Sequence, residues 1–501
     1  MKPSQDLFDL VRSLTKGEKI YFRKYCSLHV IGEGNKYLRL FDAVARMDEY
    51  DEKKLVARLK DRMLAKNIHV YKTYLYRLIL RCLNRFHEER YVNSRIMEIL
   101  QHVEILFDKG LYLQSSKQVA RAKSLAAEFE KYGLLGEILT WEIRLTLFHP
   151  NSEGVSDRME ALFADKQDAR EILENADELL MVHNRIYVLQ RGLNTSKAVL
   201  KDDVEEAIRL SASPLFSKPE NARSFYALQS YYFTRLRVHQ LQHNYDASYE
   251  IQKELLKQFM KRPMLIPENI AGYFAVAFEG TFMQHYMEEF GEAGKRTLYD
   301  QWEKFKSLDR AAGSTHYRML MLLKEAELEL LETEMSEDYS TLDQIARKFS
   351  DGIKEFGRLL DHERIYANAY TLAYLYFYAG EYRKTIQWLT RLLHLEAPQY
   401  IGLKATTRIV FLLAHYQVGN SDLLPALMRR NERQLEKWGH LNTLEKLILS
   451  TLKKLHRAKD KTGRKTIAED ALHELHVLTA AGEFRIELRY FDYTRWLKII
   501  D

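Results

Sequence analysis

A chain of 501 residues, 46% hydrophobic and 29% charged, can bury a large core, and its length alone corresponds to about three domains of ordinary size. Two cysteines, Cys26 and Cys82, exclude a disulfide framework and point to a reducing compartment; no run of about 18 apolar residues is present, which excludes a helical membrane span. The net charge of +6 is uneven: residues 1–95 carry 21 Lys+Arg against 12 Asp+Glu, and the rest of the chain is slightly acidic.

Eight prolines and 21 glycines are few breakers for this length and favour helices. Abundant aromatics, 31 Tyr and 23 Phe, suit helical repeats that stack rings between units. Met1 to Ser13 mixes Lys2, Asp6, Asp9 and Arg12 with a few apolar residues and lacks the apolar run of a signal peptide. The expected location is cytoplasmic.

In chain order, Leu7, Leu10, Val11 and Leu14 make one apolar helix face, Lys16-Gly17-Glu18 a turn, and Ile20 to Leu28 a second helix. Gly32 and Gly34 mark a loop. Tyr37, Leu40, Phe41 and Val44 form a third helix, and Asp51 caps a fourth. A fifth helix runs from about Val70 to Arg90 with Leu75, Leu78, Ile79, Cys82, Leu83 and Phe86 inward.

Between Asp61 and Glu88 there is no acid, whereas Arg62, Lys66, Lys72, Arg77, Arg81 and Arg85 are basic. Arg77, Arg81 and Arg85 stand four apart, hence on one helix face, with Tyr71 and Tyr74 nearby. Residues 62–85 therefore read either as an anion or nucleic-acid ridge or as a solvated face paired with acids of the following helices. No compact glycine turn joins the fourth and fifth helices, which argues against a helix-turn-helix unit.

From Ile96 the periodicity gives successive antiparallel helix pairs. Lys109-Gly110 and Tyr132-Gly133 read as stops, and Pro150 ends the helix Leu134 to Phe148. Separate helices follow over Arg158–Ala164 and Gln167–Arg191, then Lys201–Ala212, Ala222–Gln242, Ala247–Met260 and Ile270–Phe290. Gly291 to Gly294 reads as the stop of the last of these. Further helices are expected over Thr297–Leu308, His316–Leu331, Tyr339–Leu360, Glu363–Ala379, Ala405–Val418, Leu423–Trp438, Leu441–Arg457, Thr466–Ala480 and Phe484–Ile500.

The clearest repeat spans Tyr366 to Pro398. Ala369, Leu372, Ala373 and Tyr376 share a face, Gly380 stops the helix, Tyr382, Ile386, Leu389 and Leu393 restart the period, and Pro398 closes it. With Ala373, Tyr376, Gly380 and Tyr382 in place, this segment resembles a tetratricopeptide repeat. It departs from the pattern at Thr385, where the family has alanine, which suggests looser packing of the two helices. The resemblance implies an α-solenoid whose first helices line a concave groove. That groove would include Tyr370, Tyr374 and Phe377, with Phe233 and Arg237 at similar places in the 222–260 pair. Lys and Asn, which grip a C-terminal carboxylate in some members, are absent there, so an apolar or proline-containing peptide fits better. The alternative is that a neighbouring repeat buries these aromatics.

No H-E-x-x-H, Walker-type loop or G-x-S-x-G elbow is present. Gly32-Glu-Gly34-Asn-Lys36 lacks the strand a phosphate loop needs. His473 and His476 stand three apart without a third ligand, and the remaining histidines are scattered, so neither metal nor cofactor is expected. Lys453 to Lys465 holds seven cations and one acid, and reads as a solvated inter-helix loop.

The expected architecture is all-α: an α-solenoid of antiparallel helix pairs over residues 96–501 behind a basic N-terminal helical module over residues 1–95. The first functional reading is a non-enzymatic scaffold binding a protein or peptide in the groove. The second is a regulator whose basic N-terminal helices contact nucleic acid while the repeats sense a ligand. That arrangement resembles peptide-sensing bacterial regulators in architecture. An enzyme with a composite site is the third.

Overall fold

Helix ends are decided locally, and in this protein one backbone geometry recurs at them. The structure, a computed structural model, describes residues 5–28, 36–59, 61, 66–148, 154–193, 201–242, 244–278, 291–308, 314–356, 362–395, 401–480 and 490–500. Gly380 takes φ +77°, its N–H donates to the Phe377 carbonyl (3.0 Å), and the next N–H, of Glu381, donates to the Tyr376 carbonyl (2.9 Å). This left-handed cap satisfies two carbonyls that a helix end would otherwise leave open. Gly110, Gly419 and Gly439 repeat the geometry. Glu130 does so without glycine, at φ 52°, so the stop lies two residues before the expected Tyr132-Gly133, and Gly133 sits in the first turn of the next helix.

These caps and the prolines divide the described residues into twenty-three α-helices with no strand among them. The first eight are α1 (Asp6–Ser13), α2 (Lys16–Leu28), α3 (Lys36–Ala45), α4 (Glu52–Leu59), α5 (Ile68–His87), α6 (Val92–Asp108), α7 (Tyr112–Glu128) and α8 (Tyr132–Thr146). Then come α9 (Val155–Leu193), α10 (Lys201–Ser211), α11 (Phe225–Leu241), α12 (Tyr245–Lys261), α13 (Ile270–Phe278), α14 (Gly291–Lys306), α15 (Thr315–Ser336) and α16 (Leu342–Phe356). The last are α17 (His362–Tyr378), α18 (Tyr382–Leu393), α19 (Ile401–Val418), α20 (Leu424–Trp438), α21 (Thr443–Arg457), α22 (Lys461–Ala480) and α23 (Tyr493–Lys498). Chain neighbours pack on each other, most extensively α6 on α7, α17 on α18 and α18 on α19. The fold is all-α, built of adjacent helix pairs.

Several boundaries differ from the sequence reading. The helices expected at 158–164 and 167–191 are one helix, α9, because Asp165-Lys166 between them is no breaker. Gly291 begins α14 instead of stopping its predecessor. Residues 453–465 are no long loop: α21 continues to Arg457 and α22 starts at Lys461. Gly32, Gly34, Arg62 and Pro398 lie outside the described residues.

The chain divides into two compact units. The first comprises Met1–Ala176, Phe259–Ala271 and Lys304–Arg318; the second comprises Asp177–Gln258, Gly272–Glu303 and Met319–Asp501. Residue 95, where the sequence places a boundary, lies inside the first.

Within the first unit, α1 to α5 share a core of Leu7, Phe22, Leu40, Phe41, Leu55, Leu75, Ile79 and Cys82 with their neighbours. Each fully buried Leu or Ile there contributes about 1.5–3 kcal/mol. Caps fix the entries of two helices. The Thr15 and Glu18 side chains form a capping box at α2, Glu18 accepting from Thr15 N (2.6 Å) while Thr15 Oγ1 accepts from Glu18 N (3.3 Å). Asp51 accepts from Lys53 N and Lys54 N at the start of α4, as its sequence position suggests.

Within the second unit, α17 and α18 form the repeat-like pair. Ala373 and Thr385 are both fully buried. Tyr376 is buried and its hydroxyl donates to Asp343 of α16 (2.8 Å), which also pairs with Lys384 of α18 (2.9 Å). The Lys384 and Tyr376 bonds hold the Asp343 carboxyl below its usual range.

Nothing stands within 4 Å of where a Cβ would sit on Gly380, so any cost of a side chain there is backbone strain, not crowding. Gly380→Val is expected to lower stability by about 1 kcal/mol or more. Gly133→Ala, helical and equally open, is expected to leave stability unchanged or raise it. Equal shifts of the two denaturation midpoints would contradict the assignment of the Gly380 turn.

Candidate nucleic-acid interface

The twenty residues of α5 divide into two faces. Ile68, Lys72, Leu75, Ile79 and Cys82 are buried against α1 to α4. A helix turns 100° per residue, so positions 70, 74, 77, 81 and 85 fall on the opposite side. There Arg77, Arg81 and Arg85 are exposed. Among the described residues none of the three has an ion pair or a side-chain hydrogen bond. Their spacing of four residues corresponds to about 6 Å per step along the axis.

Aromatic and apolar groups flank the arginines. Tyr74 is 41% exposed and stacks on Tyr37 of α3, with centroids 4.4 Å apart. Val70 and Leu80 are also exposed. Phe86, expected inward, lies 37% exposed at the rim, tilted against Tyr21 of α2.

Lys72 belongs to the same basic run in sequence but not to the ridge. Its ammonium is buried and donates to Tyr50 Oη (2.6 Å) and Glu52 Oε2 (2.9 Å). Burial works against its charge, but the bonds to Glu52 and Tyr50 outweigh that and raise its pKa. The Lys72 bond and a second one donated by the Tyr50 hydroxyl (2.6 Å) depress Glu52. At the far end of α5, His87 Nε2 lies 2.7 Å from Glu18 Oε1, in a pair that is largely buried. The two contacts fix the rotation of α5 from opposite ends. Cys26 and Cys82 are buried thiols, pushed by burial up to about 11 and about 12.

The five residues expected to line a groove are placed differently. Tyr370, Tyr374 and Phe377 are 2%, 3% and 1% exposed and belong to the core of the second unit. The cover is the C-terminal segment of the same chain. Phe377 meets Phe491 (5.3 Å), the Tyr370 hydroxyl donates to the Tyr490 carbonyl (2.9 Å), and Arg495 sits over Tyr378 (4.4 Å). Phe233 and Arg237 are half-buried. Arg237 lies over the Tyr187 ring (4.4 Å) and donates to Gln190 Oε1 (2.5 Å), while Phe233 faces His183 (5.7 Å). Burial, then the Arg237 charge, lowers His183 to about 4.

A second basic surface escaped the sequence reading. Arg429, Arg430, Arg433 and Lys437 of α20 are exposed along a concavity of about 360 Å³ and have no ion pair among the described residues. Their spacing of three and four residues is a helical-face signal that could have been read. Of the expected cations in 453–465, Lys453 is tied to Glu432 (2.8 Å), whereas Lys454, Arg457, Lys459, Lys461 and Lys465 are exposed. His473 and His476 are exposed, and among the described residues no three His, Cys, Asp or Glu side chains converge as a metal would require. No described helix is long and apolar enough to cross a membrane.

No protein-family model, curated protein or solved structure matches this chain.

The covered aromatic face gives a stability test. Phe491→Ala is expected to destabilise the second unit by about 3 kcal/mol or more, read from the urea midpoint. A loss under about 1 kcal/mol would show that the C-terminal segment is not part of that core.

Proposed function

We propose that this chain is a non-enzymatic binding protein that contacts the phosphate backbone of a nucleic acid through the outer face of α5. The observation that carries the reading is the row Arg77, Arg81 and Arg85, exposed on one side of a helix whose other side is core, with no acid paired to it among the described residues. Unpaired surface arginines in a row bind poorly to a neutral protein surface but well to a polyanion, because each releases condensed counterions from a phosphate. Guanidinium groups also match phosphate oxygens two at a time. Tyr74 beside the row offers a ring on which an unpaired base can stack, which favours single-stranded or looped nucleic acid over duplex. In this reading the later helix pairs, tetratricopeptide-like at α17 and α18, are a protein-binding scaffold in the cytoplasm.

Peptide capture in an aromatic groove has weaker support. Three of its five expected residues are core, and Arg237 is engaged with Tyr187 and Gln190.

The test is a salt titration of binding to a generic single strand and a generic duplex, with wild type and Arg77/Arg81/Arg85→Ala. Wild type is expected to bind at low salt with a steep dependence on salt. The variant should lose about three units of the log–log slope, roughly one per phosphate contact removed. No binding by wild type at low salt, or an unchanged slope in a folded variant, would overturn the proposal.

A further inference from the structure

A second group of arginines gathers in the first unit, between α3 and α4. A cleft of about 530 Å³ is lined by Arg39, Asp42, Ala43, Arg46, Arg58 and Leu59. That volume lies within the range of small-ligand pockets, about 300–1,000 Å³. Arg39 lies on α3 and Arg46 in the turn that follows it, while Arg58 reaches in from α4. No local sequence pattern reveals the cleft, because its arginines come from different elements.

The surrounding bonds orient these groups without neutralising them. Arg39 Nη2 donates to the Leu59 carbonyl (2.9 Å), and its Nη1 lies 3.8 Å from Asp61. Arg58 Nη1 donates to the Arg46 carbonyl (3.3 Å). Each guanidinium has five N–H donors, so most remain available. Asp42, the one carboxylate in the lining, is already held by Arg23 of α2 through Nε (3.1 Å) and Nη2 (2.9 Å). The Arg46 side chain has no ion pair or hydrogen bond among the described residues. Among the described residues, the three lining arginines with Arg23, set against Asp42 and Asp61, leave two excess positive charges, beside buried Leu59.

We propose that this cleft binds a small phosphate-bearing anion, with a diphosphate group held by Arg46 and Arg58 beside Arg39. Two excess positive charges on forked donors match two linked phosphates, each accepting in-plane bonds from a guanidinium. The proposal is independent of the nucleic-acid reading of α5. The same chemistry can arrive free, as in pyrophosphate or a nucleotide, or as the terminal phosphate of a strand.

The experiment is calorimetric titration of the full chain with pyrophosphate at low salt. A parallel competition compares 5′-phosphorylated with 5′-hydroxyl oligonucleotides. Arg46→Glu is the main variant, since its side chain supports nothing in the fold; Arg58→Gln is the second. Wild type is expected to bind pyrophosphate at one saturable site, at least about tenfold more tightly than Arg46→Glu, and Arg77/Arg81/Arg85→Ala should bind it as wild type does. If pyrophosphate gives no saturable heat but the 5′-phosphate confers an advantage that Arg46→Glu removes, the ligand is a strand end and the phosphate site stands. Neither effect, or equal affinity in a folded Arg46→Glu protein, would overturn it.

Discussion

The rotation of α5 about its own axis is the constraint on which the surface of the N-terminal helices depends. Leu75 and Ile79 are fully buried, and Lys72 must meet Glu52 and Tyr50 or leave a charge stranded in the core. Burying an ammonium without its partner costs several kcal/mol, so α5 cannot roll to hide its outer arginines. Glu18 and His87 clamp the other end. Arg77, Arg81 and Arg85 face water as a consequence, with no ion pair among the described residues. A basic run of one composition is thereby split by helical geometry into a structural lysine and an exposed row.

A related division holds in the second unit for aromatic residues. The side of α17 bearing Tyr370, Tyr374 and Phe377 has the stripe that a peptide-binding helix would present, but the chain lays its own residues 490–496 across it. The segment supplies what a bound peptide would supply: Phe491 against Phe377 and Tyr378, a carbonyl for the Tyr370 hydroxyl, and Arg495 shared between Glu337 and Tyr339. Aromatic burial of this extent is stabilising through area alone. Among the described residues, α5 and α20 each present exposed cations without ion pairs.

Much of the architecture was legible because it is written in local signals. The 3.6-residue period and the rarity of breakers give an all-helical chain, and Gly110, Gly380 and Gly419 mark turns that have positive φ. Glu130 was missed because a non-glycine left-handed cap carries no compositional mark. The single helix α9 spans two helices of the sequence reading, because Asp165-Lys166 between them carries no breaker. The exposed arginines of α5 and α20 follow from spacing, although only the first row was read. What spacing cannot give is the partner of a face. Whether Phe377 and Tyr370 meet solvent or the C-terminal segment is settled by contacts across more than a hundred residues, and the α3–α4 cleft depends on Arg23 claiming Asp42 from another helix.

The most direct test of a nucleic-acid interface on α5 is photo-crosslinking of the full chain to a single strand carrying a photoreactive base, followed by peptide mapping. Adducts are expected within residues 68–87, centred on Tyr74 beside Arg77. Efficient crosslinking confined to other peptides, or none at a concentration where the strand is bound, would contradict the assignment of that face.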